Sequence, residues 1–186
     1  MPALPARRPL AALAAALCAG AGLLAAPPAI ARDGLGVFGN WAAFRDGAVP
    51  RCYAIALAEP ERAGLRGGNR QAGLPRQFDA YADVGSWPRR GVRGQLHLRA
   101  SRRLGAGVAQ LSLGGQRIAL TSGQADLWAA DPRADAAIMA AMRQGGRMQL
   151  LARDASGHLF TDSWQLDGAA CAMDAATLAC AADARR

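Results

Sequence analysis

Polar and apolar positions alternate most clearly between Gln95 and Ala100, where Leu96, Leu98 and Ala100 interleave with Gln95, His97 and Arg99. A period of two means a strand with one face in a core and the other towards water. The same alternation fills Val108–Leu113 and Gln116–Thr121, separated by Gly114-Gly115, a pair suited to a tight primed turn. Those two runs predict a hairpin. Further strand-like runs lie at 37–46, 52–58, 80–84 and 92–100. The first two read as an opening hairpin looped around 46–51, and the last two as a pair turning at 85–91. Arg147–Arg153 and His158–Leu166 flank the turn formers Asp154-Ala155-Ser156-Gly157 and predict a closing hairpin.

Two stretches break the period. Asp131 stands as a cap before Pro132, and Ala134–Gln144 runs at helical spacing until Gly145-Gly146 stops it, with Ile138, Ala141 and Met142 on its inner face. A second short helix is predicted from about Ala169, with Asp167 as its cap. Residues 59–76 hold Pro60, Gly64, Gly67, Gly68, Gly73, Pro75 and four Arg, and read as a long flexible loop. Many strands, two short helices in the C-terminal half and no βαβ rhythm predict a mainly β fold. The expected architecture is an antiparallel β-sandwich or a partly closed barrel.

The first 31 residues do not belong to that domain. Arg7 and Arg8 precede an apolar run from Leu10 to Ala26, Pro27-Pro28 break it, and Ala29-Ile30-Ala31 offers small residues for cleavage after Ala31. Charged, apolar and small-residue regions in that order form a secretory signal peptide. Leu17 stands where a lipoprotein signal needs a small residue, so Cys18 is not read as a lipid anchor. Cleavage leaves residues 32–186 as one exported domain, periplasmic or secreted, with no membrane span.

Cysteine usage fits that compartment. The exported part holds Cys52, Cys171 and Cys180. Nine residues of helix would hold Cys171 and Cys180 about 13.5 Å apart, beyond the roughly 7 Å limit between Cα atoms that a disulfide tolerates. Cys52–Cys171 and Cys52–Cys180 remain. Cys52–Cys180 is favoured because it ties the C-terminus to an early strand, and Cys171 is then expected to be a small buried hydrophobe. Either closure is worth about 4 kcal/mol in chain entropy.

All 22 basic residues are arginine, and the chain carries +8 overall. Residues 62–103 contain ten of them against Asp79 and Asp83. Arg89, Arg90, Arg93, Arg99, Arg102 and Arg103 are the candidate anion-binding patch, suited to anionic lipid or lipopolysaccharide; the bland alternative is solvated or ion-paired arginine. The modest overall charge favours that alternative; such a stretch could also attract nucleic acid, which is not the expected partner.

Catalytic chemistry finds little support. His97 and His158 are the two available bases, both in strands and both read as solvent-facing, and neither neighbours a Gly-x-Ser-x-Gly turn. Two histidines and no CxxC spacing leave no expected metal site. Gly67-Gly68 and Gly114-Gly115 lack the features of a phosphate loop. No catalytic residue, metal or cofactor is assigned.

The segment Ile138-Met139-Ala140-Ala141-Met142-Arg143-Gln144-Gly145-Gly146-Arg147-Met148-Gln149-Leu150-Leu151 is followed by Gly157, the strand Phe160–Leu166 and Gly168 before a helix. This closing pattern resembles the invasion-associated locus B family of exported proteobacterial proteins. Phe38-Gly39-Asn40-Trp41 followed by Cys52 is similar to that family's opening, although the Trp-to-Cys gap is longer and paired cysteines in mid-chain are missing. The resemblance implies an exported, envelope-associated β-sandwich-like domain and carries no catalytic residues. The expected function is a non-enzymatic envelope binding or interaction protein, meeting an envelope protein or an anionic envelope component. A small periplasmic hydrolase and a structural protein touching anionic lipid through its arginines are the alternatives.

Overall fold

The computed structural model describes residues 32–47, 49–60 and 75–183. Residues 1–31, the expected signal peptide, and most of the 59–76 loop, including Arg62, Arg66 and Arg70, lie outside them. Ten strands form one antiparallel sheet: β1 (Asp33–Phe38), β2 (Trp41–Asp46), β3 (Arg51–Leu57), β4 (Tyr81–Trp87), β5 (Val92–Arg99), β6 (Leu104–Leu113), β7 (Gln116–Gly123), β8 (Asp126–Ala129), β9 (Arg147–Asp154) and β10 (Leu159–Gln165). Their order is β1-β2-β3-β4-β5-β8-β7-β6-β9-β10. The helices are α1 (Pro132–Met142) and α2 (Ala169–Asp183), and a short 3-10 turn, Pro88–Arg90, joins β4 to β5.

The sheet curls without closing. Its two halves are instead stitched by single bonds near β10. Glu59 N donates to Ser163 O at 2.8 Å, Asn40 N to Asp167 O at 3.2 Å, and the Trp41 indole N–H to Gln165 O at 2.9 Å. A partly closed, mainly β fold is therefore what forms.

Local rules account for most elements. Asp131 caps α1 by accepting from Ala134 N at 2.7 Å, with Pro132 at the first helical position. The Gly114-Gly115 turn joins β6 and β7, both glycines having positive φ. The opening differs from expectation. Residues 37–46 are not one strand: Gly39, at φ +56°, and Asn40 turn the chain between β1 and β2, giving a three-stranded meander. The four residues of β8 escape a pattern search because they are too short to show a period. They nevertheless fill the gap between β5 and β7.

Inward-facing Trp41, Leu96, Leu98, Leu111, Leu127, Met148, Leu150 and Trp164 are fully buried, together with Ile138 and Met142 of α1. Helix α2 covers β1–β4 and α1 covers β5. On α2 the buried positions are Ala169, Ala172, Met173, Ala176 and Cys180, a stripe at helical spacing made mostly of small residues.

The expected disulfide is present: Cys52 and Cys180 are bonded with Cα atoms 5.7 Å apart. Cys171 corrects an expectation. It is exposed rather than buried, because nine residues of helix turn it through about 900°, to the side opposite Cys180.

Candidate functional site

The register of the sheet assembles a polar cluster on its outer face. Asp83, His97 and Trp128 pair in one row across β4, β5 and β8, and Tyr81, Arg99 and Asp126 pair in the next. Paired residues project to the same side, so six functional side chains from three strands converge. His97 Nδ1 lies 2.9 Å from Asp83 Oδ2, and its Nε2 lies 2.9 Å from Asp126 Oδ1. Arg99 Nη1 reaches both oxygens of Asp126, at 3.2 and 3.0 Å. The imidazole stacks on Trp128 at 5.4 Å and meets the edge of Tyr81 at 5.6 Å.

His97 is therefore not the solvent-facing residue its strand pattern suggests; its side chain is only 20% exposed. Alternation places it on the outer face correctly. What alternation cannot show is that Trp128, from the unrecognised β8, roofs it.

Both ring nitrogens face carboxylate oxygens, so the arrangement is satisfied when both carry protons. Burial opposes that charge. The hydrogen bonds to Asp83 and Asp126, reinforced by their negative charges, outweigh it and raise the His97 pKa above the usual 6.5. Tyr81 is pushed up by burial and then by the same two carboxylates. An imidazolium held at both nitrogens has no lone pair to offer as a general base. Nor can Asp83, His97 and Asp126 converge on one ion, because the acids sit at opposite ends of the ring. Among the described residues no group of three His, Cys, Asp or Glu side chains is placed to hold a metal.

Because folding raises the His97 pKa, its contribution to stability is fully present below pH 6.5 and is lost as pH rises through the higher folded-state value. Denaturation midpoints should fall across that window on raising the pH. His97→Gln should flatten this part of the profile, and an imidazole NMR titration of His97 with a midpoint at or below 6.5 would contradict the assignment.

The arginines do not form one surface. Arg99 is committed to Asp126. Arg102 is buried, bonded to Asp154 Oδ2 at 3.1 Å and to Pro75 O at 2.9 Å, which removes it from any solvent-facing patch. Its partner Asp154 also accepts from Ser156 N and His158 N, closing the β9–β10 turn. Burial pushes the Asp154 carboxyl up, but these backbone bonds and Arg102 bring it below its usual pKa. Arg103 is exposed at that end of the molecule. Arg89, Arg90 and Arg93 are exposed at the other, about 20 Å away along β5. His158 is half exposed, as expected, with Nδ1 3.5 Å from Asp154.

Clefts flank the sheet on two sides. One, of about 640 Å³, runs past Val37, Ile55, Leu57 and Pro60 on the β1–β3 side. Val37 and Leu57 are 78% and 70% exposed. The other, of about 560 Å³, lies between the β4–β5 turn and the end of α2. Among the described residues no helix is long and apolar enough to cross a membrane. No family model, no curated protein and no solved structure matches this chain.

Proposed function

We propose that the chain is an exported envelope protein that binds a partner rather than transforming a substrate, and that it belongs with the invasion-associated locus B proteins its sequence resembles. The carrying observation is the outer face of β1–β4. Val37, Ala42 and Ile55 lie in the same row as Asp83 and His97, and Leu57 lies in the row of Tyr81. Large apolar side chains left open beside a fixed, neutralised polar cluster give a surface of stable shape that offers burial and selectivity together. Export is supported by the order of charged, apolar and small residues in 1–31 and by a disulfide suited to an oxidising compartment.

The test is expression of the chain from Met1 in a bacterium, with a photo-crosslinking residue at position 57 or, as a control, at 178 on the far side of α2. The expected result is an envelope protein beginning at Arg32 with the bridge intact, giving a discrete adduct from position 57 and none from 178. A reduced chain retaining Met1 would refute export. An exported chain with identical patterns from both positions would refute the binding face.

A further inference from the structure

We propose that the cleft between the β4–β5 turn and α2 binds a single-chain anionic amphiphile, with its head group on Arg93 and its chain along Pro88, Val92 and Ala181. The cleft is lined by none of the outer-face residues, so the inference stands apart from the reading of that face.

The polar groups of the cleft decide the ligand's chemistry. Thr177 Oγ1 is occupied, donating to Met173 O at 2.7 Å. Ser86 Oγ accepts from Gly94 N at 3.0 Å and keeps its own proton. The side-chain donors left to meet a ligand are thus the Ser86 hydroxyl and the Arg93 guanidinium, and among the described residues the lining contains no carboxylate. Arg89 and Arg90 stand in the turn beside it, and Arg93 just beyond. Among the described residues none of the three has an ion-pair partner, whereas Arg99, Arg102 and Arg143 all do. A ligand there must accept hydrogen bonds and carry negative charge at one end.

The rest of the lining sets the other end. Pro88, Val92, Ala181 and the bridged Cys180 present carbon and sulfur, which reward an apolar chain. A volume of about 560 Å³ is within the range of small-molecule sites. Its walls are a helix and a hairpin turn, and such a slot admits one chain where a flat bilayer surface cannot enter. The source is therefore a free amphiphile rather than a membrane.

Calorimetric titration of the disulfide-intact protein with sodium laurate, kept below its micelle-forming concentration, tests this. Saturable one-to-one binding is expected, at least tenfold weaker for dodecyl maltoside, which has the same chain and no charge. Arg93→Glu should weaken laurate binding at least tenfold, while Arg117→Glu, at an exposed position on β7, leaves it unchanged. Ala181→Trp should fill the slot and abolish binding; if that variant does not fold, the surface substitution Arg93→Glu decides alone. Absence of saturable binding, equal affinity for the uncharged amphiphile, or full binding by Arg93→Glu would each overturn the proposal. So would binding seen only with phosphatidylglycerol vesicles, which would reassign the arginines to a membrane surface.

Discussion

Reduction of the Cys52–Cys180 bridge is expected to destabilise the protein by about 4 kcal/mol, on the order of 10 °C in Tm for a chain of this size. The bridge joins residues 128 apart in sequence, so breaking it returns a large amount of chain entropy to the unfolded state. The folded side points the same way. Helix α2 packs through Ala169, Ala172, Ala176 and Met173, and buried alanine contributes much less apolar area than leucine. A helix held by so small a stripe depends on its covalent anchor, which sits near its C-terminal end. Loss should therefore begin there, with amide exchange rising in α2 and the facing part of β3 before β9 and β10. Urea denaturation with and without reductant, in a Cys171→Ser background that removes the exposed thiol, measures the effect. Coincident curves would show that packing alone holds α2.

Helix geometry excludes Cys171–Cys180 and leaves Cys52 to pair with either, and the preference for Cys180 rests on anchoring the C-terminus to an early strand, the pairing that forms. The same geometry carried the answer for Cys171: half-integral turns separate it from Cys180, so one of the two must face water. The β6–β7 hairpin and the start of α1 were legible because each rests on local chemistry, a Gly-Gly turn and an Asp-Pro cap. The His97 cluster was not. Its members come from positions 81, 83, 97, 99, 126 and 128, and the last two reach β5 only because β8 inserts between β5 and β7. Sequence order gives no hint of that insertion. Arg102 illustrates the same limit, since its burial depends on Asp154, 52 residues away. Charge counting along the chain grouped six arginines that the fold separates into buried, paired and exposed.

Gly168→Ala is expected to cost more than about 3 kcal/mol, beyond the roughly 1–2 kcal/mol that left-handed backbone alone charges an L residue. Gly168 has φ +83°, and a Cβ built on it would stand 1.8 Å from Phe38 O. That contact is with backbone, so no side-chain rotation relieves it. The β1–β2 turn would have to move off the start of α2. The displacement would also strain the Asn40 N to Asp167 O bond and the Trp41 to Gln165 bond, two of the links that hold the two halves of the open sheet together. Gly115→Ala separates backbone strain from collision. Gly115 has a similar φ, +76°, but a Cβ there meets nothing within 4 Å, so its cost should stay near the strain value alone. Equal losses for the two variants in urea denaturation would mean that the turn and helix yield freely at Gly168. A difference of about 2 kcal/mol or more would identify this glycine contact as the clasp that keeps an open sheet curled.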